Sequence, residues 1–103
     1  MRIMMKVSMP VEAGNSAAKR NKLGKTIQAI LVEQKPEAVY FGTDNGQRTA
    51  FIFLHIRESS EIPRLAEPWF LAFNAAIEMT PVMAPEDLAK AGPAINEAAK
   101  KYA

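Results

Sequence analysis

The segment Phe51-Ile52-Phe53-Leu54-His55-Ile56 constrains the fold of this 103-residue chain more than any other part of it. Successive side chains of a β-strand point to opposite faces of the sheet. Both alternating sets in this segment are mainly apolar, so a strand here needs cover on both of its faces. The chain must therefore form a sheet and bury both faces of that strand, one of them against helices and the other against something else.

A hairpin signal precedes this strand. Asp44-Asn45-Gly46 favours a tight turn, because a type I′ turn needs positive φ at both central residues. The turn predicts that a strand over residues 38–43 pairs antiparallel with one over residues 49–56. With a two-residue turn, Tyr40 lies opposite Phe51, and Ala38 lies opposite Phe53.

Apolar periodicity and helix-breaking residues predict the other elements. Pro10 ends the first strand and Pro36 ends the first helix. Pro68 predicts a kink or a break in the second helix. The predicted elements are a strand over 3–9, one helix over about 16–34, a helix that Ser59 or Ser60 caps, a strand over 76–83, and a helix from Pro85 that resumes after Gly92-Pro93 up to Tyr102.

The resulting order, β-α-β-β-α-β-α, predicts one α+β domain over residues 1–103. Its first six elements form a ferredoxin-like βαββαβ unit with a four-stranded antiparallel sheet, followed by an extra C-terminal helix. Both crossing helices then lie on one side of the sheet. The uncovered face leaves large apolar side chains in water, which is typical of an interface or a ligand groove. The simplest cover is a twofold dimer with the sheets face to face.

Four stretches carry a resemblance to a known superfamily, and with the order of elements it extends over the whole chain. The stretches are Lys6–Val11, Leu23–Thr26, Lys35–Phe41 and Ala66–Phe70. The chain resembles the dimeric α+β barrel superfamily, which includes small monooxygenases and muconolactone isomerase-like proteins, and is most similar to its short uncharacterised bacterial members. The resemblance implies a homodimer forming a dimeric α+β barrel and, often, a small-molecule pocket. It implies no particular reaction, because a fold alone does not supply one.

Three polar residues are the candidates for catalysis. Lys6 and Glu78 each interrupt an apolar strand, and His55 is the only histidine. Two charges in an apolar pocket can polarise or deprotonate a small substrate. Each also has a structural interpretation: Lys6 and Glu78 as edge charges that discourage aggregation, and His55 as a packed or hydrogen-bonded strand-end residue. A ferredoxin-like sheet does not guarantee that the first and fourth strands are neighbours.

Three aromatic residues, Tyr40, Phe53 and Trp69, are the candidates for ligand binding. Trp69 alternatively fills the layer between helix and sheet, as most such residues do. Gly24-Lys25-Thr26 lacks the upstream glycine and the strand of a phosphate-binding loop. No cofactor and no metal site are expected, since the chain has no cysteine and its single histidine has no partner nearby in the sequence.

Composition limits the remaining function classes. No apolar run approaches the roughly 20 residues of a membrane helix, and Lys6 interrupts the place where a signal peptide has its apolar core. The basic cluster from Lys19 to Lys25 is expected to be a solvated helix face without a nucleic-acid partner. We expect a cytoplasmic homodimer that binds a small apolar or aromatic molecule, with or without transforming it. The alternative is a non-catalytic structural or regulatory dimerisation module.

Overall fold

Two apolar strands form the centre of the sheet. The structure, a computed structural model, describes residues 1–103. Four strands pair antiparallel in the order β2-β3-β1-β4, which confirms the predicted α+β class and the four-stranded antiparallel sheet. The strands are β1 (Arg2–Met9), β2 (Ala38–Asp44), β3 (Gln47–His55) and β4 (Ala76–Pro81).

The hairpin between β2 and β3 forms with the predicted register. Asn45 and Gly46 have φ of 53° and 73°, the positive values that a type I′ turn requires. The sheet pairs Tyr40 with Phe51 and Ala38 with Phe53. Local turn chemistry therefore fixes which side chains of β2 and β3 share a face.

Five helices accompany the sheet. The predicted interruption near Gly92-Pro93 is confirmed, because the last helical stretch forms two helices. The prediction of a single helix over residues 16–34 is wrong, because the helix is interrupted at Asn21. The φ of Asn21 is 58°, in the left-handed region that asparagine tolerates. The basic cluster consequently spans the end of one helix, a turn and the start of the next. The helices are α1 (Val11–Lys19), α2 (Leu23–Gln34), α3 (Ile62–Phe73), α4 (Pro85–Lys90) and α5 (Gly92–Tyr102).

The start of α3 differs from the prediction that a serine caps it. A single 3-10 turn, Ser59–Glu61, precedes the helix. The Glu61 carboxylate accepts hydrogen bonds from the backbone N–H groups of Arg57 at 2.6 Å and Glu58 at 3.1 Å. These two bonds lower the pKa of Glu61. No side chain caps α3, so the predicted serine cap is wrong, and the Glu61 carboxylate instead bonds the backbone that precedes the helix.

Pro68 does not divide α3 into two helices. The helix is continuous over Ile62–Phe73 with Pro68 inside it. The missing N–H group would have bonded the carbonyl of Arg64, four residues earlier. Arg64 lies on the exposed side of the helix. The loss of one hydrogen bond is tolerated here, while Pro63, as predicted, occupies the first turn.

Helices α1, α2 and α3 pack on one face of the sheet only. Along β1, alternate residues are buried and half-buried, which shows that one face has cover and the other does not. The core combines one face of β1 and β3 with side chains of these three helices, and its members are Ile3, Met5, Val7, Met9, Ala17, Ile30, Ala50, Ile52, Leu54, Ile56, Leu65, Trp69, Phe73 and Ala75.

The C-terminal helices lie outside this core. Neither α4 nor α5 contains a buried residue. The radius of gyration is 17.2 Å, against about 13 Å for a compact domain of this length. The longest dimension is 59 Å, whereas the other two are 27 and 20 Å. None of the helices combines the length and the apolar character that crossing a membrane requires.

Two leucines on α3 test which side of this helix faces the core. Leu65 is 1% exposed and Leu71 is 80% exposed. Leu65→Ala leaves a cavity in the core, so it should lower the free energy of unfolding by about 2–5 kcal/mol. Leu71→Ala should change it by no more than about 0.5 kcal/mol. Urea denaturation of both variants at one protein concentration measures the difference, and equal losses would contradict the packing of α3.

Candidate functional site

Five of the six predicted site residues lie on the sheet face that no helix covers. We call this surface the open face. The strand register identifies the residues of this face, because residues paired across an antiparallel sheet point to the same side. The open face is formed by Met4, Lys6, Tyr40, Phe51, Phe53, His55 and Glu78.

Lys6 and Glu78 meet on the open face. Strands β1 and β4 are neighbours, and Lys6 is the direct partner of Glu78. The Lys6 Nζ lies 3.6 Å from Glu78 Oε2 and also forms an ion pair with Asp44 Oδ2. Asp44 has only a turn-forming role in the sequence analysis, because its approach to Lys6 depends on the assembled sheet. Lys6 is therefore held between two carboxylates that neutralise its charge.

The protonation of Lys6 limits what it can do chemically. Its hydrogen bond to Asp44, and more weakly the charge of Glu78, raise the pKa of Lys6 above its ordinary value. The ammonium group stays charged at neutral pH and has no lone pair to accept a proton. Lys6 can act as a fixed positive charge, and general-base catalysis by this residue is disfavoured.

An apolar band lies beside this ion pair. The rings of Tyr40 and Phe53 meet edge to face, with centroids 6.4 Å apart and planes at 81°. Tyr40 is 65% exposed, and Met4, Phe51 and Phe53 are half-buried. Aromatic surface of this kind on a protein exterior favours contact with another molecule.

His55 lies at the other end of the sheet from Glu78. Its partner on β1 is Arg2. Arg2 and Lys6 are four residues apart, which corresponds to about 13 Å along a strand. His55 Nε2 is 3.3 Å from Glu37 Oε2, and Arg2 Nε donates to Glu37 Oε1. The bond from Arg2, followed by that from His55, lowers the pKa of Glu37. The three candidate catalytic residues thus form two separate polar groups.

Trp69 lies on the opposite side of the sheet, under the helices. It is 1% exposed and stacks on Phe73 with ring centroids 6.1 Å apart. Its Nε1 donates to Gln34 Oε1 at 3.3 Å, and Gln34 Nε2 donates to the Leu65 carbonyl at 2.9 Å. The buried indole therefore has its polar atom satisfied, as burial requires.

A cavity of about 300 Å³ lies beside Trp69, between the sheet and the helices. Phe41 at its edge is 60% exposed, so the cavity reaches the surface there. Of the six predicted site residues, only Trp69 lines this space. Its walls are otherwise mainly apolar, and Arg48 supplies the single charge; the lining residues are Val7, Met9, Ile27, Phe41, Gly42, Arg48, Thr49, Ala50 and Trp69.

The sequence contains a partial signal for this cavity. Arg48 lies on the same side of β3 as Ala50 and Ile52, and this side faces the helices. A charged residue at a helix-facing position is unusual and marks a place where the core is incomplete. The space itself depends on how α2 and α3 pack, which periodicity does not specify.

No group of three or more histidine and acidic side chains is placed to hold a metal ion. No protein-family model matches the chain, and no curated protein matches it. The chemistry available to the molecule must therefore be argued from the open face and the cavity.

The Glu37 carboxylate provides a test of the polar group at His55. Because its pKa is lowered in the folded state, Glu37 stabilises the fold above its unfolded pKa, near 4.5, and that contribution is lost as the pH falls through the folded value. Glu37→Gln should lower Tm at pH 7, and the difference from the unmodified protein should narrow below pH 4.5. A difference that is constant from pH 7 to pH 3 would contradict the charge interaction with Arg2.

Proposed function

We propose that this chain is a homodimeric ferredoxin-like protein of the dimeric α+β barrel type that binds a small apolar or aromatic molecule. The binding site in this proposal is the cavity between the sheet and the helices. The observation that carries it is a space of about 300 Å³ with mainly apolar walls, one of them the ring of Trp69. Small-molecule sites are typically concave, largely apolar and about 300–1,000 Å³ in volume.

The cavity favours binding over a purely structural role for this part of the core. The cavity opens to the surface at Phe41, so a small molecule has a route into it. Water gains little in a space whose walls offer few polar partners. An apolar molecule in the cavity removes its own surface from water, which contributes about 25 cal/mol per Å².

The open face supports the dimer. The strand order β2-β3-β1-β4 is compatible with a split βαβ unit, in which the connecting helices share one side. The opposite side leaves Tyr40, Phe51 and Phe53 without cover from any helix. Two copies packed face to face through a twofold axis would bury both bands at once.

One observation favours the second function, a non-catalytic dimerisation module. Lys6 is neutralised within its own chain by Asp44 and Glu78, so the open face offers a ligand no unpaired charge at this point. In a pure dimerisation module, any cellular role would depend on Tyr40 and its neighbours, and filling the cavity would have no effect on that role.

The cavity can be tested with an uncharged aromatic probe, 3-phenylpropan-1-ol. Trp69 is the only tryptophan and lines the cavity, so its fluorescence reports binding directly. Ala50→Leu places a larger side chain among the lining residues and should weaken binding at least about tenfold, because it occupies the space that the probe needs.

Ala76→Leu is the matched control. Ala76 is an exposed strand residue on the open-face side of β4, opposite Ser8. The same substitution there should leave probe affinity within about twofold. No saturable change in Trp69 fluorescence, or equal affinity in Ala50→Leu and the unmodified protein, would overturn the proposed binding function.

The dimer can be tested independently through Tyr40→Asp. Tyr40 is 65% exposed, so an aspartate there costs the single chain little, but in a dimer it buries an unpaired charge. Sedimentation should show a dissociation constant raised at least about tenfold. Val32→Asp, at a residue that is 64% exposed on α2, should leave it unchanged. A folded, monomeric unmodified protein at micromolar concentration would contradict the dimer.

A further inference from the structure

The free edge of β2 has the features of a strand-pairing surface. The order β2-β3-β1-β4 leaves β2 and β4 as the two edges of the sheet. We propose that β2 pairs antiparallel with the β2 strand of a second copy, about a twofold axis that passes through Phe41. This contact uses a different surface from the open face, so it goes beyond the proposed dimer and can coexist with it.

The hydrogen bonds of the sheet show which backbone groups of β2 are free. The Ile56 N–H donates to the Met1 carbonyl at 2.9 Å, so even-numbered residues along β3 bond β1 and odd-numbered ones bond β2. These odd-numbered residues pair with even-numbered residues of β2. The N–H and C=O groups of Val39, Phe41 and Thr43 therefore point away from the sheet. A row of free backbone groups is a template for another strand.

The two edges of the sheet differ in their protection against such pairing. Charged side chains and proline discourage strand pairing at an exposed edge. The β4 edge has both, with Glu78 inside the strand and Pro81 at its end. The β2 edge has neither a charge nor a proline from Ala38 to Thr43. Its aromatic residues Tyr40 and Phe41, on the two faces of the strand, are both exposed.

The sequence of β2 is complementary to itself in one register. Phe41 is the middle residue of this seven-residue strand, so an axis there lets the whole strand pair. Val39 then lies opposite Thr43 of the second copy, and each pair of outward-pointing residues can exchange two hydrogen bonds. Asp44, the only charged residue of the strand, lies opposite Ala38 of the second copy. No like charges meet, which favours a second copy as the partner.

Gly42 provides an independent indication of a close neighbour at this edge. Glycine inside a strand weakens it and often marks a place where another chain approaches closely. A Cβ atom at Gly42 would meet no atom within 4 Å, so nothing in the chain itself requires a glycine there. In the proposed register Gly42 lies opposite Tyr40 of the second copy, and its missing side chain leaves room for that ring.

Cysteine cross-linking tests the register, because the chain has no cysteine of its own. In the proposed pairing the two Phe41 positions have Cα atoms about 5.5 Å apart. A disulfide bridges that distance, so under mild oxidation Phe41→Cys should form a linked dimer at least about tenfold faster than Thr43→Cys. Thr43 is the matched control, since it is exposed on the same edge but lies about 13 Å along the strand from its own copy.

A second pair of variants keeps the ring of Phe41. Val39→Cys and Thr43→Cys, mixed in equal amounts, should form a mixed disulfide faster than either variant links to itself. Val39→Cys mixed with Thr80→Cys, at an exposed residue of the β4 edge, is the control and should link slowly. The reaction of each variant with a small disulfide reagent corrects the rates for differences in thiol reactivity.

The outcomes separate edge pairing from the face-to-face dimer. Phe41 pairs with Ala50, whose side faces the helices, so sheets packed through the open face do not bring the two Phe41→Cys thiols together. Fast linking of Phe41→Cys, with the mixed disulfide between Val39→Cys and Thr43→Cys, supports pairing of β2 with itself. Equal rates for Phe41→Cys and Thr43→Cys, or faster linking of Val39→Cys to Thr80→Cys, would overturn it.

Discussion

The whole structure depends on how β3 is covered. Its helix-facing residues Ile52 and Leu54 are buried under α1, α2 and α3, while Phe51 and Phe53 point to the other side, where no helix packs. Burying a large apolar side chain contributes about 1.5–3 kcal/mol, so leaving aromatic rings partly in water forgoes much of that stabilisation. This imbalance relates the fold to the proposed ligand binding and to the proposed dimer. The covered side contains the cavity, and the uncovered side would be buried by a second copy.

The two sides of the sheet have different chemistry. On the open face the charges of Lys6 and Arg2 are compensated by acids from the same chain, so the proposed burial of this face would leave neither charge unpaired. Under the helices, Trp69 is buried with its indole N–H bonded to Gln34, and the cavity beside it has mainly apolar walls. The two proposals therefore concern opposite sides of the sheet, ligand binding under the helices and assembly on the open face.

Interactions that are local in sequence were predictable, and those that join distant segments were not. The Asn45-Gly46 turn specifies its own backbone, so the hairpin register followed directly. Asn21 breaks a helix without any proline or glycine, which periodicity does not detect. The contact of Lys6 with Asp44, and that of His55 with Glu37, needed the assembled sheet. The sequence analysis groups residues from both sides of the sheet into one set of candidates. The alternation of side chains along a strand shows which strand residues share a face, but it does not show on which side of the sheet α3 places Trp69.

The most direct test of one-sided cover is hydroxyl-radical footprinting of the two tyrosines across a range of protein concentrations. Tyr40 is 65% exposed on the open face, and Tyr102, at the end of α5, is 86% exposed and serves as the internal reference. If a second copy covers the open face, oxidation of Tyr40 falls as the concentration rises through the dissociation constant of the dimer, while oxidation of Tyr102 stays constant. Oxidation of Tyr40 that remains parallel to that of Tyr102 at every concentration would contradict it.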